Sequence, residues 1–143
     1  FVGSVVLALG VFYGGTLTGD AAGKAISIAE SKVAFTAFEL IIRGILCNVI
    51  VVLAVWMATA SQDVISKIFA CWFPIMLFVL CGFEHSVANM GFLTMGLLLP
   101  HGADVTIMGM AHNLLWVSLG NFVGGVLFVG LPYYFITKES KKA

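Results

Sequence analysis

Charge is what this chain has least of. Seven basic and seven acidic residues make up 10% of its 143 residues and cancel to a formal net charge of zero. That balance excludes a basic footprint for nucleic acid, and it excludes a polybasic tail large enough to hold the chain on a lipid surface by charge alone. Cysteine is scarce as well. Cys47, Cys71 and Cys81 stand in apolar surroundings without CxxC spacing, so they read as small buried hydrophobes rather than as a redox or zinc motif. A basic n-region is also lacking, because Phe1 opens directly on apolar residues. The chain therefore reads as a piece of a longer polypeptide and not as one that starts with a signal peptide.

Apolar residues fill the space that charge leaves. They make up 61% of the chain, and the mean hydropathy is +1.09. Soluble domains do not reach such values, so the expected class is all-α integral membrane protein. A bilayer core about 30 Å thick needs ~20 helical residues. Four apolar blocks meet or approach that length: 1–13, 33–60, 69–99 and 108–136. The first is short and reads as the surviving part of a span. The third is longer than one crossing needs and is interrupted by Gly82, Glu84, His85, Ser86 and Asn89. Pro74 suits a helix N-terminal turn near the start of that block. The fourth carries Gly120, Gly124 and Gly125, small residues that permit close helix contact.

Polar joints at 14–32, 61–67 and 100–106 separate the blocks. Lys138, Lys141 and Lys142 mark the tail, 137–143, as cytoplasmic. The joint with Lys67 then lies inside, and the lysine-free joint at 100–106 outside. The joint with Lys24 and Lys32 is also external, its lysines accompanied by Asp20 and Glu30, and Phe1 begins near the cytoplasmic face.

Polar residues inside apolar blocks are the candidate functional groups. Glu39 and Arg43 lie one turn apart on one helix face and read as a self-neutralised pair. Lys32 precedes the second block as an interfacial lysine. Asn48 lies ~24 Å further on if a single helix joins the two, and it suits either a structural bridge or a ligand contact. The run CGFEHSVANM at 81–90 is different in kind. Gly82 followed by polar residues and then a new apolar segment predicts two half-helices with an irregular joint. Irregular backbone at membrane depth is tolerated only when buried in protein or lining a watery cavity. His85 thereby becomes a pathway candidate, since its charge responds to whatever occupies the cavity. His101 reads as a solvated loop residue and His112 as an interfacial cap.

GFEHSVANM at 82–90, RGILCN at 43–48, LAVW at 53–56 and GNFVGG at 120–125 occur together and in order. The chain in this respect resembles the formate/nitrite transporter family. The resemblance implies an aquaporin-like fold built from six spans in an inverted repeat, assembled as a homopentamer with a pore in each protomer. The four blocks here correspond to the third to sixth spans, with the fifth helix broken. It also implies a companion N-terminal fragment that carries the first two spans.

Carried over by residue, the resemblance makes His85 the central pore histidine, with Asn48 near it. Phe78 matches an apolar residue of the extracellular constriction. Lys32 matches a lysine linked to anion attraction, and Glu84 and Asn89 match polar residues associated with that lysine. Arg43 falls in the RGxxCN run as a structural residue. The implied function is passage of small monovalent anions, such as formate, nitrite, hydrosulfide or short monocarboxylates, across the cell inner membrane. No enzyme activity and no cofactor are implied. A bare anion in a dry constriction costs many kcal/mol, and the neutral acid avoids most of that penalty, so proton sharing at His85 is the expected device, with a strictly aqueous anion channel gated by His85 as the alternative that predicts the same residues. The other reading is an intramembrane redox or metal-binding protein that uses His85 and His112. Neither an HxxxH spacing nor a second histidine pair supports it.

Overall fold

The computed structural model describes residues 1–100 and 105–140. His101, Lys141 and Lys142, on which expectations fell, lie outside the described residues, as does most of the joint at 100–106. Among the described residues every regular element is helical. In chain order these are α1 (Val2–Tyr13), α2 (Gly19–Ala34), α3 (Ala37–Ala60), α4 (Val64–Leu80), α5 (Ser86–Leu98), α6 (Ile107–Gly125), a π-helical turn (Val126–Gly130) and α7 (Leu131–Ser140). Two stretches among the described residues are long and apolar enough to cross a bilayer unaided, Ala37–Ala60 and the run Ile107–Lys138 through the π-helical turn, while α1, α4 and α5 are shorter apolar helices.

Local chemistry explains the boundaries. Thr36 and Glu39 form a capping box at the start of α3: the Thr36 backbone N–H and hydroxyl both donate to Glu39 Oε2 at 2.8 Å, and the Glu39 N–H donates to the Thr36 hydroxyl at 3.4 Å. Asp63 caps α4 by accepting from the Ser66 N–H at 2.8 Å. This hydrogen bond holds its carboxyl below the ordinary value. Thr106 does the same for α6, its hydroxyl accepting from the Gly109 N–H at 3.0 Å.

These caps correct several expectations. The joint at 14–32 is largely the 16-residue helix α2, and the following span starts at Ala37 rather than residue 33. Lys32 sits in the last turn of α2, so no single helix runs from it to Asn48. Pro74 is interior to α4, because Asp63 starts that helix well before residue 69; it brings no N–H for the Ala70 carbonyl. The cap of the last span is Thr106, and His112 lies inside α6 with its ring edge-on to Trp116 at 6.4 Å. Cys47 is buried, but Cys71 and Cys81 are exposed.

The helices divide into two compact units, Phe1–Leu40 with Ser86–Trp116, and Ile41–His85 with Val117–Ala143, so that α3 and α6 contribute to both. In the first unit α5 packs on α1 and α2. Ala29, Leu93, Val105 and Met110 form a buried cluster there, flanked by Val33, Leu97 and Leu114. The second unit is built on backbone contact. A Cβ at Gly120 or Gly124 would collide with the carbonyl oxygens of Ile41 and Ile45, so GNFVGG is the small-residue face that lets α6 lie directly on α3.

Candidate functional site

The break between α4 and α5 spans Cys81 to His85. It begins with a helix stop made by local rules. Gly82 adopts φ +66°, its N–H donates to Val79 O at 3.1 Å, and the Phe83 N–H reaches Phe78 O at 3.0 Å. That pair of bonds with a left-handed glycine is a Schellman motif, which satisfies the last carbonyls of α4.

Beyond the stop, the backbone is held by distant residues of the second unit. Arg43 Nη1 donates to Gly82 O at 2.9 Å, and the Glu84 N–H donates to the Arg43 carbonyl at 3.4 Å. Asn121 Nδ2 donates to Glu84 O at 3.0 Å and to Gly44 O at 2.9 Å. Asn48 Nδ2 in turn donates to the Asn121 carbonyl at 2.6 Å. A polar break in an apolar layer needs such partners, since each buried amide left unbonded costs about 1–3 kcal/mol. Glu84 is buried, and its main chain is bonded on both sides.

His85 closes the break, half-buried, with its ring stacked on Phe78 at 5.7 Å and 24°. Phe78 is 7% exposed while its neighbours Leu77 and Val79 are 50% and 62% exposed. One aromatic ring of α4 thus turns inward to meet the histidine.

The remaining candidates belong to the first unit. Asn89 is buried, and its Nδ2 donates to Asn113 Oδ1 at 2.8 Å. Asn113 Nδ2 continues the chain to the Lys32 carbonyl at 2.8 Å. The Lys32 ammonium stands 5.8 Å from the centre of the Phe92 ring, within cation–π range. Of the six residues read from sequence, His85, Phe78, Glu84 and Asn48 fall in the second unit, and Lys32 and Asn89 in the first. Two were missed, Asn113 and Asn121. Their signal was available in principle, as buried amides within an apolar span.

No group of three or more His, Cys, Asp or Glu side chains gathers as a metal site among the described residues. The break offers instead an aromatic-backed imidazole, an anchored amide and a fixed backbone, a set suited to a small polar solute.

A family model described as formate/nitrite transporter matches residues 1–135. The nitrite transporter NirC of Salmonella typhimurium is 39% identical over 142 residues, covering 99% of this chain and 52% of the relative. Among solved structures, an FNT family ion channel aligns with a TM-score of 0.88 at 39% identity, covering 94% of this chain and 54% of that one. A pentameric formate channel with formate bound aligns with a TM-score of 0.85 at 29% identity, covering 94% of this chain and 61% of that one. The chain spans about half the length of the curated relatives it matches.

Proposed function

Because this chain belongs to the formate/nitrite transporter family, whose members are membrane channels and transporters rather than enzymes, we propose that it forms part of a pore for small monovalent anions. Formate and nitrite are the first candidates, given the names of its relatives; hydrosulfide and short monocarboxylates share their size and charge.

His85 stacked on Phe78 within the break is the observation that carries this reading. Phe78 acts as the dry constriction. His85 shares a proton with the anion beyond it, so that the solute crosses the apolar region in neutral form and avoids the Born penalty of a naked charge. Asn48, with its Nδ2 committed to the Asn121 carbonyl, presents its remaining amide edge to the solute. Lys32, a fixed positive charge backed by Phe92, raises the local anion concentration. Glu84 and Asn89 are supporting residues of the break and of the lysine respectively. The working form is a homopentamer in the cell inner membrane with its C-terminus cytoplasmic, and two further spans of the family's fold complete each pore.

The test is flux of labelled formate, and separately of nitrite and hydrosulfide, into proteoliposomes across a pH series. His85→Ala is expected to abolish the pH dependence and lower the rate. An unchanged rate and pH profile would end the central-histidine mechanism.

A further inference from the structure

We propose that Asn121 is a positioning residue for His85. The inference rests on the reading of His85 given above and extends it to a side chain on another helix.

Asn121 lies on α6, is 7% exposed, and is not part of the break. Its Nδ2 nevertheless donates to Glu84 O at 3.0 Å and to Gly44 O at 2.9 Å. Glu84 O belongs to the peptide group whose nitrogen is that of His85. A bond to that oxygen sets the rotation of the peptide plane, and this plane directs the imidazole. The second bond, to Gly44, ties the same amide group to α3. Both hydrogens of one planar amide are thereby committed, so Asn121 cannot turn without losing one of them. Asn48 closes the set by donating to the Asn121 backbone carbonyl at 2.6 Å. One residue therefore fixes the peptide before the histidine and receives the amide of a second site residue.

Shape supports the assignment. α6 can bring Asn121 this near to α3 because Gly120 and Gly124 flank it, where any Cβ would meet the Ile41 and Ile45 carbonyls. The titratable groups of this unit at the break are Glu84, adjacent to His85 in the chain, and Arg43 on α3, which bonds the Gly82 carbonyl. α4 adds Asp63 and Lys67 near its start, thiols stand at Cys47, Cys71 and Cys81, and the stretch 117–125 adds no titratable group. Asn121 is neutral, so its effect on His85 comes through geometry and not through charge.

The experiment compares Asn121→Ser, Asn121→Gln and Asn121→Ala with the unmodified protein and with His85→Ala. All are assembled in proteoliposomes, with formate flux read against pH and against formate concentration. The expected result is a shift in the midpoint of the pH profile by roughly half a unit or more. The half-saturating concentration should stay within about twofold. Gln, which retains a donor, should shift the midpoint least. If His85→Ala removes the pH dependence while assembled Asn121 variants keep the original midpoint, the positioning role is wrong and the histidine mechanism stands. If His85→Ala leaves the profile intact, the histidine mechanism itself is wrong. Failure of all three Asn121 variants to assemble also overturns the proposal, by assigning the residue to folding.

Discussion

The two units solve one problem with different materials. Each must hold a polar group in an apolar layer, and each backs that group with an aromatic ring: Phe92 for Lys32 in the first, Phe78 for His85 in the second. Each also uses an asparagine of α6 to bond a backbone carbonyl, Asn113 to Lys32 O and Asn121 to Glu84 O. Their packing differs. The first unit fills its interior with side chains such as Leu93 and Met110, whereas the second presses glycine against backbone along α3 and α6. Side-chain packing can give by small rotations, while backbone contact cannot. On the function proposed above, the lysine needs only its charge and the histidine an orientation, so the stiffer construction would accompany the more demanding group.

The sharpest way to break this comparison is to add one methyl group to each unit. Gly124→Ala should cost about 1–3 kcal/mol, because the Ile45 carbonyl must move. Gly91→Ala in α5 should be neutral or slightly stabilising, since no atom stands within 4 Å of its Cβ position. Thermal unfolding of the assembled protein measures both, and equal effects would mean that the Gly124 contact with the Ile45 carbonyl carries no cost of its own.

A smaller effect separates the asparagines. Asn113→Leu takes one hydrogen bond from the Lys32 carbonyl and one from the Asn89 amide, a loss of about 1–3 kcal/mol. Its functional mark should be a higher half-saturating anion concentration with the pH midpoint unchanged, the reverse of the pattern expected for Asn121. Flux measured against concentration and pH in the same vesicles distinguishes them.

The smallest effect concerns the start of α4. The Asp63 carboxyl is held below its ordinary value of 3.8 by the Ser66 N–H. A group whose folded value is depressed stabilises the fold above its unfolded value and loses that contribution as pH falls through the folded one. The first turn of α4 should therefore fray below pH 3.8. Faster amide exchange at residues 64–66 would report it, with the start of α6, capped by the non-titrating Thr106 hydroxyl, as the internal reference.

Much of this was legible beforehand, and for physical reasons. The break at 81–85 stood out because a glycine followed by polar residues inside an apolar run cannot continue a lipid-facing helix at low cost. The GNFVGG contact was legible because glycine spacing carries a packing meaning of its own. Helix α2 was hidden, since its buried positions Ala25 and Ala29 are too small to stand out against polar neighbours. Pro74 misled because a residue preference outweighed the cap at Asp63 that sets the real start. Asn113 and Asn121 escaped because the amide of each donates to backbone carbonyls, that of Lys32 and those of Gly44 and Glu84, and a carbonyl has no residue identity for a sequence to display. His85, Asn48 and Lys32 stood out as polar residues in or beside apolar blocks, the family pattern supplied the roles of all six site residues, and their partners became visible only through geometry.

The Schellman stop at Gly82 has a consequence in time. It uses only residues 78–83, so α4 can end itself as soon as that stretch has left the ribosome. Arg43 has by then been synthesised and can take the Gly82 carbonyl. Asn121 is still 37 residues away from Glu84 along the chain. The partner on α3 is thus available to the break before the partner on α6, so the order of synthesis matches the order in which the two tethers can form.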